Sequence, residues 1–224
     1  MKKSTKKQSK VLISPSILAG DFGRLASEAK RAEDAGADWL HVDIMDGHFV
    51  PNITIGPQAV AALKKAVKIP LDVHLMIEYP QKYVKQFAEA GADILTVHVE
   101  SKHDIKETLA TIKSLGCKCG LVINPDTSTA RVKKYLPDID MVLVMSVFPG
   151  FGNQKFIPEV LAKVTDLRDC IDMLAKDIYL QIDGGINSET SKLAIAAGAD
   201  VLVSGSAVYK HKNLRPIIRE LRSI

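Results

Sequence analysis

No run of apolar residues in this chain approaches the ~20 that a membrane helix requires, so nothing in the sequence predicts a membrane span. Cysteine is scarce. Cys117, Cys119 and Cys170 form an odd, sparse set that excludes a disulfide framework and reads as free thiols in a reducing cytoplasm. Two thiolates in Cys117-Lys-Cys119 are half of a metal site at most, and both residues suit the start of a strand. A basic stripe is also missing. Five of the thirty basic residues are lysines within M-K-K-S-T-K-K-Q-S-K, leaving 25 basic against 26 acidic residues in the remainder. The net charge of +4 therefore belongs to residues 1–10, and the rest offers no surface suited to nucleic acid. That tail has no hydrophobic stretch or cleavage site of a secretory signal, and a disordered, solubilising extension is expected there. Finally, no linker or shift in composition marks a second domain, so residues 11–224 read as one domain large enough to bury most of its surface.

What is present is a repeat. The tetrapeptide A-G-A-D occurs at Ala35–Asp38, Ala90–Asp93 and Ala197–Asp200, each time between a helix-like stretch and an apolar run. Glycine suits the left-handed cap that ends a helix, and an apolar run of 4–8 residues suits a strand. Eight strands are predicted: Val11–Leu18, Trp39–Met45, Leu71–Met76, Ile94–Val99, Lys118–Ile123, Met141–Val147, Ile178–Ile182 and Val201–Ser204. Helical patterns separate them, at Phe22–Ala35, Pro57–Val67, Gln81–Ala90, Asp104–Leu115, Ser128–Tyr135, Pro158–Leu174, Ser188–Ala197 and Leu214–Arg222. Strict alternation implies a parallel sheet with crossover helices, and eight units in this length fit a closed α/β barrel of the (β/α)8 TIM type. An open doubly wound sheet is the alternative.

In such a barrel the chemistry lies at the C-terminal ends of the strands. Alternation along L-H-V-D-I-M puts His41, Asp43 and Met45 on one face; in L-D-V-H-L-M it groups Asp72, His74 and Met76, and in Q-I-D it groups Gln181 with Asp183. Two imidazoles and two carboxylates, from His41, Asp43, His74 and Asp183, suit zinc, ferrous iron, manganese or cobalt. A metal accounts for ionisable groups inside apolar strands, where unpaired charges are costly. His98, beside Glu100, is either a fifth ligand or a structural support, and Asp72 reads as a hydrogen-bonded support. Asp46 and His48 fall in the following D-G turn. Met45, Met76 and Met145 share the inward phase, as core filling or as a dry lining over a reacting carbon.

A second signal is rich in glycine. Strands six, seven and eight end in V-F-P-G-F-G-N, D-G-G and S-G-S, and loops at these positions often hold phosphate through backbone N–H groups. A metal, two carboxylates and a phosphate grip suggest a phosphorylated sugar handled next to its carbonyl. The metal would stabilise an enediolate, and Asp43 and Asp183 on opposite sides would invert the carbon by proton transfer.

These residues resemble the ribulose-phosphate 3-epimerase family along essentially the whole length from Val11 onward. The resemblance rests on S-P-S-I-L at 14–18, H-V-D-I-M-D-G-H-F-V-P-N at 41–52, D-V-H-L-M at 72–76, P-G-F-G at 149–152, D-G-G-I at 183–186 and G-S-A-V at 205–208. It implies one divalent metal per subunit on His41, Asp43, His74 and Asp183, with Zn2+ or Fe2+ favoured over Mn2+ or Co2+, and with Asp43 and Asp183 as the acid–base pair. Ser16 and His74 would contact the sugar, and Gly150, Phe151, Gly152, Asn153, Gly184, Gly185, Gly205 and Ser206 would hold the phosphate end. The implied reaction interconverts ribulose 5-phosphate and xylulose 5-phosphate in the pentose phosphate pathway, in the cytoplasm, by a homo-oligomer. Allulose 6-phosphate as the substrate, or a barrel that binds phosphate ligands without catalysis, are the alternatives. The sequence departs from the family's usual N-P-G-F-G-G at Phe148 and Asn153, beside the phosphate loop; asparagine tolerates the left-handed conformation expected there.

Overall fold

The computed structural model of the protein describes residues 10–174 and 176–223, so the extension expected over residues 1–10 lies, apart from Lys10, outside the described residues. Eight strands alternate with helices: β1 (Leu12–Pro15), α1 (Leu25–Asp34), β2 (Leu40–Met45), α2 (Pro57–Ala66), β3 (Leu71–Met76), α3 (Val84–Glu89), β4 (Ile94–His98), α4 (Ile105–Ser114), β5 (Lys118–Ile123), α5 (Ala130–Lys133), β6 (Met141–Met145), α6 (Leu161–Asp172), β7 (Tyr179–Asp183), α7 (Thr190–Ala197), β8 (Val201–Ser204), α8 (Ser206–Tyr209) and α9 (Arg215–Leu221). The strands are all parallel, in the order β1-β8-β7-β6-β5-β4-β3-β2. The two edges meet where Ser16 bridges His41 and where the N–H groups of Asp38 and Trp39 reach the carbonyl of Ile13, at 2.9 and 3.3 Å. The result is a single-domain, nearly closed (β/α)8 TIM barrel, as alternation predicts.

Where boundaries differ from expectation, a local cause is visible. The first strand stops at Pro15: Ser16 still donates its N–H to Ser204 of β8 at 3.2 Å while bridging His41 of β2, and Ile17–Ala19 then turns into a 3-10 helix. The helix expected from Phe22 opens as a separate 3-10 turn, capped by Asp21 accepting from Gly23 N–H, before α1 begins at Leu25. That expected over Ser128–Tyr135 contracts to α5, and a separate 3-10 helix with Pro137 in its first turn follows at Leu136–Asp138. α8 was not anticipated; four residues are too few to show a period.

Period-two alternation sorts the strands into two environments. Leu40, Val42 and Ile44, with Leu71, Val73 and Leu75, pack outward against α1 and α2 residues such as Ala29, Ala32, Val60 and Leu63. The inward set forms clusters without any α-helical residue: Trp39, Ile94, Met141 and Val201 near the strand starts, and Val122, Leu143, Met145 and Val147 further along. Between these lie the buried polar residues Ser14, His41, Asp72, Thr96 and Gln181.

The A-G-A-D device has two working parts. Gly36, Gly91 and Gly198 sit at φ +95°, +102° and +109°, the left-handed region where a side chain would be strained. The aspartate that follows builds the floor of the barrel. Asp38, Asp93 and Asp200, joined by Asp140 outside the motif, each donate the backbone N–H to one residue of the preceding strand (Ile13, Leu71, Leu180 and Cys119) at 2.8–3.1 Å. The carboxylate of each accepts the N–H of that same residue at 2.8–3.0 Å. Every strand pair β1–β2, β3–β4, β5–β6 and β7–β8 carries one such clasp, and a cation (Arg222, Lys64, Lys176 or Arg168) backs each carboxylate.

Candidate active site

At the opposite end, a cavity of about 830 Å³ opens over the C-terminal ends of the strands. Ser16, Asp43, Met45, Met76, Met145 and Asp183 border it, together with Gly150–Asn153, Gly184, Gly185, Gly205 and Ser206. The structure thus brings together every nominated residue except two. His41 and His74 lie fully buried and do not line the cavity.

Strand register sets the geometry below. Pairing of β2 with β3 puts Asp43 beside His74 and His41 beside Asp72. Asp43 Oδ1 lies 3.2 Å from His41 Nε2 and 3.1 Å from His74 Nδ1, while Asp43 Oδ2 accepts a hydrogen bond from Ser16 Oγ at 2.6 Å. Asp183 Oδ2 approaches His41 Nε2 at 3.9 Å. One ligand atom from each of His41, Asp43, His74 and Asp183 fits within a 4.8 Å cluster. His41 Nδ1 is held by Asp72 Oδ2 at 2.7 Å, yet its fully buried Nε2 makes no hydrogen bond. A buried nitrogen left bare toward two carboxylates, in a two-nitrogen, two-oxygen set, is chemically suited to a divalent cation.

The same contacts separate the proton affinities of the two carboxyl groups. Burial, reinforced by the negative charge of Asp43, pushes Asp183 up to about 7, against an opposing pull from His41. Burial also acts to raise Asp43, but the His41 charge and the close contacts of His41 and His74 with its carboxylate overcome it and hold Asp43 well below the carboxylate range. Desolvation works against a charged His41, and the carboxylates of Asp43 and Asp72 outweigh it and raise its pKa; for His74, burial prevails over Asp43 and lowers it. Unlike environments for two facing carboxyl groups are the arrangement that lets one act as a base while the other holds a proton.

The glycine-rich rim behaves as a preformed cradle. Asn153 stands at φ +64°, the one non-glycine residue at positive φ among the described residues, so it takes up the conformation a glycine would supply. Gln154 Nε2 donates to the carbonyls of Phe148 and Phe151 at 2.6 and 2.9 Å, and Asn52 Nδ2 donates to that of Gly150 at 2.8 Å. Phe148 itself points to solvent, half exposed, rather than repacking the loop.

Some neighbours went unread in the sequence. Lys155 and Lys210 line the cavity's glycine-rich side. Gln181, on the inner face as alternation predicts, donates through Nε2 to Asp72 Oδ2 at 2.5 Å, a contact the sequence does not announce, and fixes the support of His41. Lys210 follows Ser206 by four residues across α8, a spacing that places both on one side; Lys155 carries no comparable mark. Asp46 folds its turn: its carboxylate accepts the N–H groups of His48, Phe49 and Glu78 at 2.8 Å. Cys117 and Cys119 are buried free thiols at a strand start. Among the described residues, no helix is long and apolar enough to cross a membrane.

Residues 12–209 match the model of the ribulose-phosphate 3 epimerase family. The chain is 48% identical over 213 residues to a ribulose-phosphate 3-epimerase of Bacillus subtilis (strain 168), covering 95% of this chain and 98% of that protein. It is 49% identical over 216 residues to one of Synechocystis sp., covering 95% and 94%, and 44% identical over 213 residues to one of Escherichia coli K12, covering 95% of each. Among solved structures, phosphoribosyl anthranilate isomerase of Thermus thermophilus superposes with a TM-score of 0.69 at 16% identity, covering 94% of this chain and 98% of that one. The 3-hexulose-6-phosphate synthase of Salmonella typhimurium gives 0.68 at 18%, covering 94% and 96%. At such identities these two likenesses speak to the fold alone.

Proposed function

The chain belongs to the ribulose-phosphate 3-epimerase family and is an epimerase, and from that premise we propose that it interconverts D-ribulose 5-phosphate and D-xylulose 5-phosphate by inverting C3. The observation that carries the reading is the pair Asp43 and Asp183, which reach the same His41 Nε2 with unlike proton affinities. The ionised carboxylate takes the C3 proton from one face of the substrate, and the protonated carboxyl group delivers a proton to the other. The C3–H bond broken and the C3–H bond formed balance, and the two residues exchange protonation states. In the reverse direction their roles are swapped.

His41, Asp43, His74 and Asp183 would hold one divalent cation, with Zn2+ or Fe2+ best suited and Mn2+ or Co2+ also compatible. When bound, it supplies positive charge next to the oxygens on which negative charge develops during deprotonation. Ser16 Oγ orients Asp43 Oδ2 toward its task. Met45, Met76 and Met145 border the cavity with apolar, polarizable atoms and exclude water from the reacting carbon. Backbone N–H groups of Gly150–Asn153, Gly184, Gly185, Gly205 and Ser206 would receive the phosphate.

The same reading places the enzyme in the pentose phosphate pathway in the cytoplasm, acting as a homo-oligomer on a small sugar phosphate, with no nucleic-acid partner. Apolar side chains exposed on neighbouring loops, Ile53 and Tyr79, are compatible with self-association.

Incubation with D-ribulose 5-phosphate in D2O tests the reaction. Deuterium should enter C3 as D-xylulose 5-phosphate forms, and Asp43→Asn should abolish both while phosphate binding persists. Unchanged exchange in that variant would remove Asp43 from the mechanism. A large kcat/KM preference for allulose 6-phosphate would overturn the pentulose assignment.

A further inference from the structure

Two residues behind the cluster have no part in the mechanism above, yet their arrangement is specific. His98 is fully buried at the end of β4, and its Nε2 lies 2.8 Å from His74 Nε2. On its other side, His98 Nδ1 lies 3.2 Å from Glu100 Oε2. Glu100 is itself anchored, since its Oε1 accepts the N–H of Asn124 at 3.0 Å. The ring of Phe49 packs on His98 with centroids 4.6 Å apart. A chain of contacts therefore runs from Glu100 through His98 and His74 to Asp43.

We propose that His98 and Glu100 are positioning residues that fix which ring nitrogen of His74 carries hydrogen, keeping His74 Nδ1 bare toward Asp43 and the metal cluster. The inference rests on the reading that His41, Asp43, His74 and Asp183 hold a divalent cation.

Hydrogen counting fixes the assignment. A neutral imidazole has one N–H and one bare nitrogen, whereas a carboxylate only accepts. Glu100 Oε2 therefore requires the hydrogen of His98 on Nδ1. That leaves His98 Nε2 bare, so the 2.8 Å contact is a hydrogen bond only if His74 Nε2 is the donor. His74 Nδ1 is then the bare nitrogen, and it is the one facing Asp43 Oδ1. The opposite assignment would set a bare His98 nitrogen against a buried carboxylate and point a hydrogen from His74 into the cluster, removing a ligand. His41 reaches the same end in one step, through Asp72. The two histidines are thus prepared from outside by two different carboxylates, one direct and one relayed. Partners of this kind behind a metal ligand are typically worth about 10–100-fold in metal affinity.

The test uses Co2+ titrated into chelator-stripped full-length protein and followed by its visible absorption, with wild type, Glu100→Gln, His98→Leu, His98→Gln and the Glu100→Gln/His98→Leu double variant. Glutamine at position 100 keeps the shape but has one acceptor oxygen for two donors. The expected result is a dissociation constant raised about 10–100-fold in Glu100→Gln and His98→Leu. His98→Gln should recover part of the loss, because its amide oxygen can accept from His74 Nε2. Glu100→Gln should add nothing on top of His98→Leu, since it acts through that ring. A second measurement needs no variant: 15N NMR of the zinc-loaded wild type should find the ring hydrogen of His98 on Nδ1 and that of His74 on Nε2. A hydrogen on His98 Nε2, or variants that bind Co2+ as tightly as wild type, would overturn the proposal. Wild-type protein that binds no Co2+ would defeat the metal reading itself and this proposal with it, a result distinct from equal affinities.

Discussion

Asp72 Oδ2 lies 2.7 Å from His41 Nδ1, both side chains fully buried, and the same oxygen receives Gln181 Nε2. One carboxylate oxygen thus serves two donors while setting the ring that faces Asp43. Asp72→Asn keeps the shape and removes the charge, and metal retained after dialysis should fall with an affinity loss of about 10-fold. Asp72→Leu leaves both donors unpaired, and its urea unfolding should show a further loss of about 1–3 kcal/mol.

Gly185 sits at φ +64°, and a Cβ there would fall 2.6 Å from the backbone nitrogen of Phe156. Backbone cannot move aside as a flexible side chain can. Gly185→Ala should therefore cost about 1–3 kcal/mol of stability and distort the cradle for phosphate. Steady-state kinetics should register this as a raised KM for the sugar phosphate with kcat less affected, together with a lower Tm.

Lys155 and Lys210 line the glycine-rich side of the cavity and form no ion pair among the described residues. Each is placed to act on a phosphate dianion from a distance, with an effect of about 1 kcal/mol, roughly fivefold in KM. Replacing either by alanine should raise KM by that factor at low salt and by less as added KCl screens the charge. A KM indifferent to both lysines would leave phosphate recognition to the backbone alone.

Thiol chemistry separates the three cysteines. Burial, aided by nearby Asp140, pushes Cys119 up to about 11, and burial with Asp93 also raises Cys117. Since the thiolate is the reactive form, neither should react with DTNB at pH 8 in the native protein. One thiol per chain, the half-buried Cys170, should titrate under native conditions and three in denaturant.

At the barrel floor, Asp200 accepts Leu180 N–H at 3.0 Å and pairs with Arg168 at 2.9 Å, far from the cavity-lining residues in the fold. Asp200→Ala should lower stability by about 1–3 kcal/mol through the unpaired groups it leaves. Because the floor takes no part in the chemistry, kcat at 25 °C should match wild type.

Much of this was legible because period and composition act locally. Alternation assigned His41, Asp43, His74 and Asp183 to the inner face without knowledge of their partners, and A-G-A-D marked three helix-to-strand joints. What could not be read was contact across the ring. Nothing near Gln181 in the sequence announces Asp72, which is 109 residues away. His98 looked ambiguous for the same reason: its contact with His74 Nε2 arises from the β3–β4 register, which nothing in the sequence displays. Lys155 escaped because an exposed loop lysine has no pattern to distinguish it. Helix ends were misjudged where turn chemistry prevailed, as at Asp21.

The four aspartate clasps each join an odd strand to the even strand that follows. The ring is therefore four couples in sequence, each fastened by contacts that are short along the chain. This divides the loops beneath the barrel into two kinds. Termini moved by circular permutation into residues 67–70 or 116–117 leave all four couples on continuous chain. Termini opened within residues 35–37 would send Asp38 and Ile13 to opposite ends of the polypeptide, so their clasp could close only after the whole barrel had been threaded, the slowest kind of contact to form.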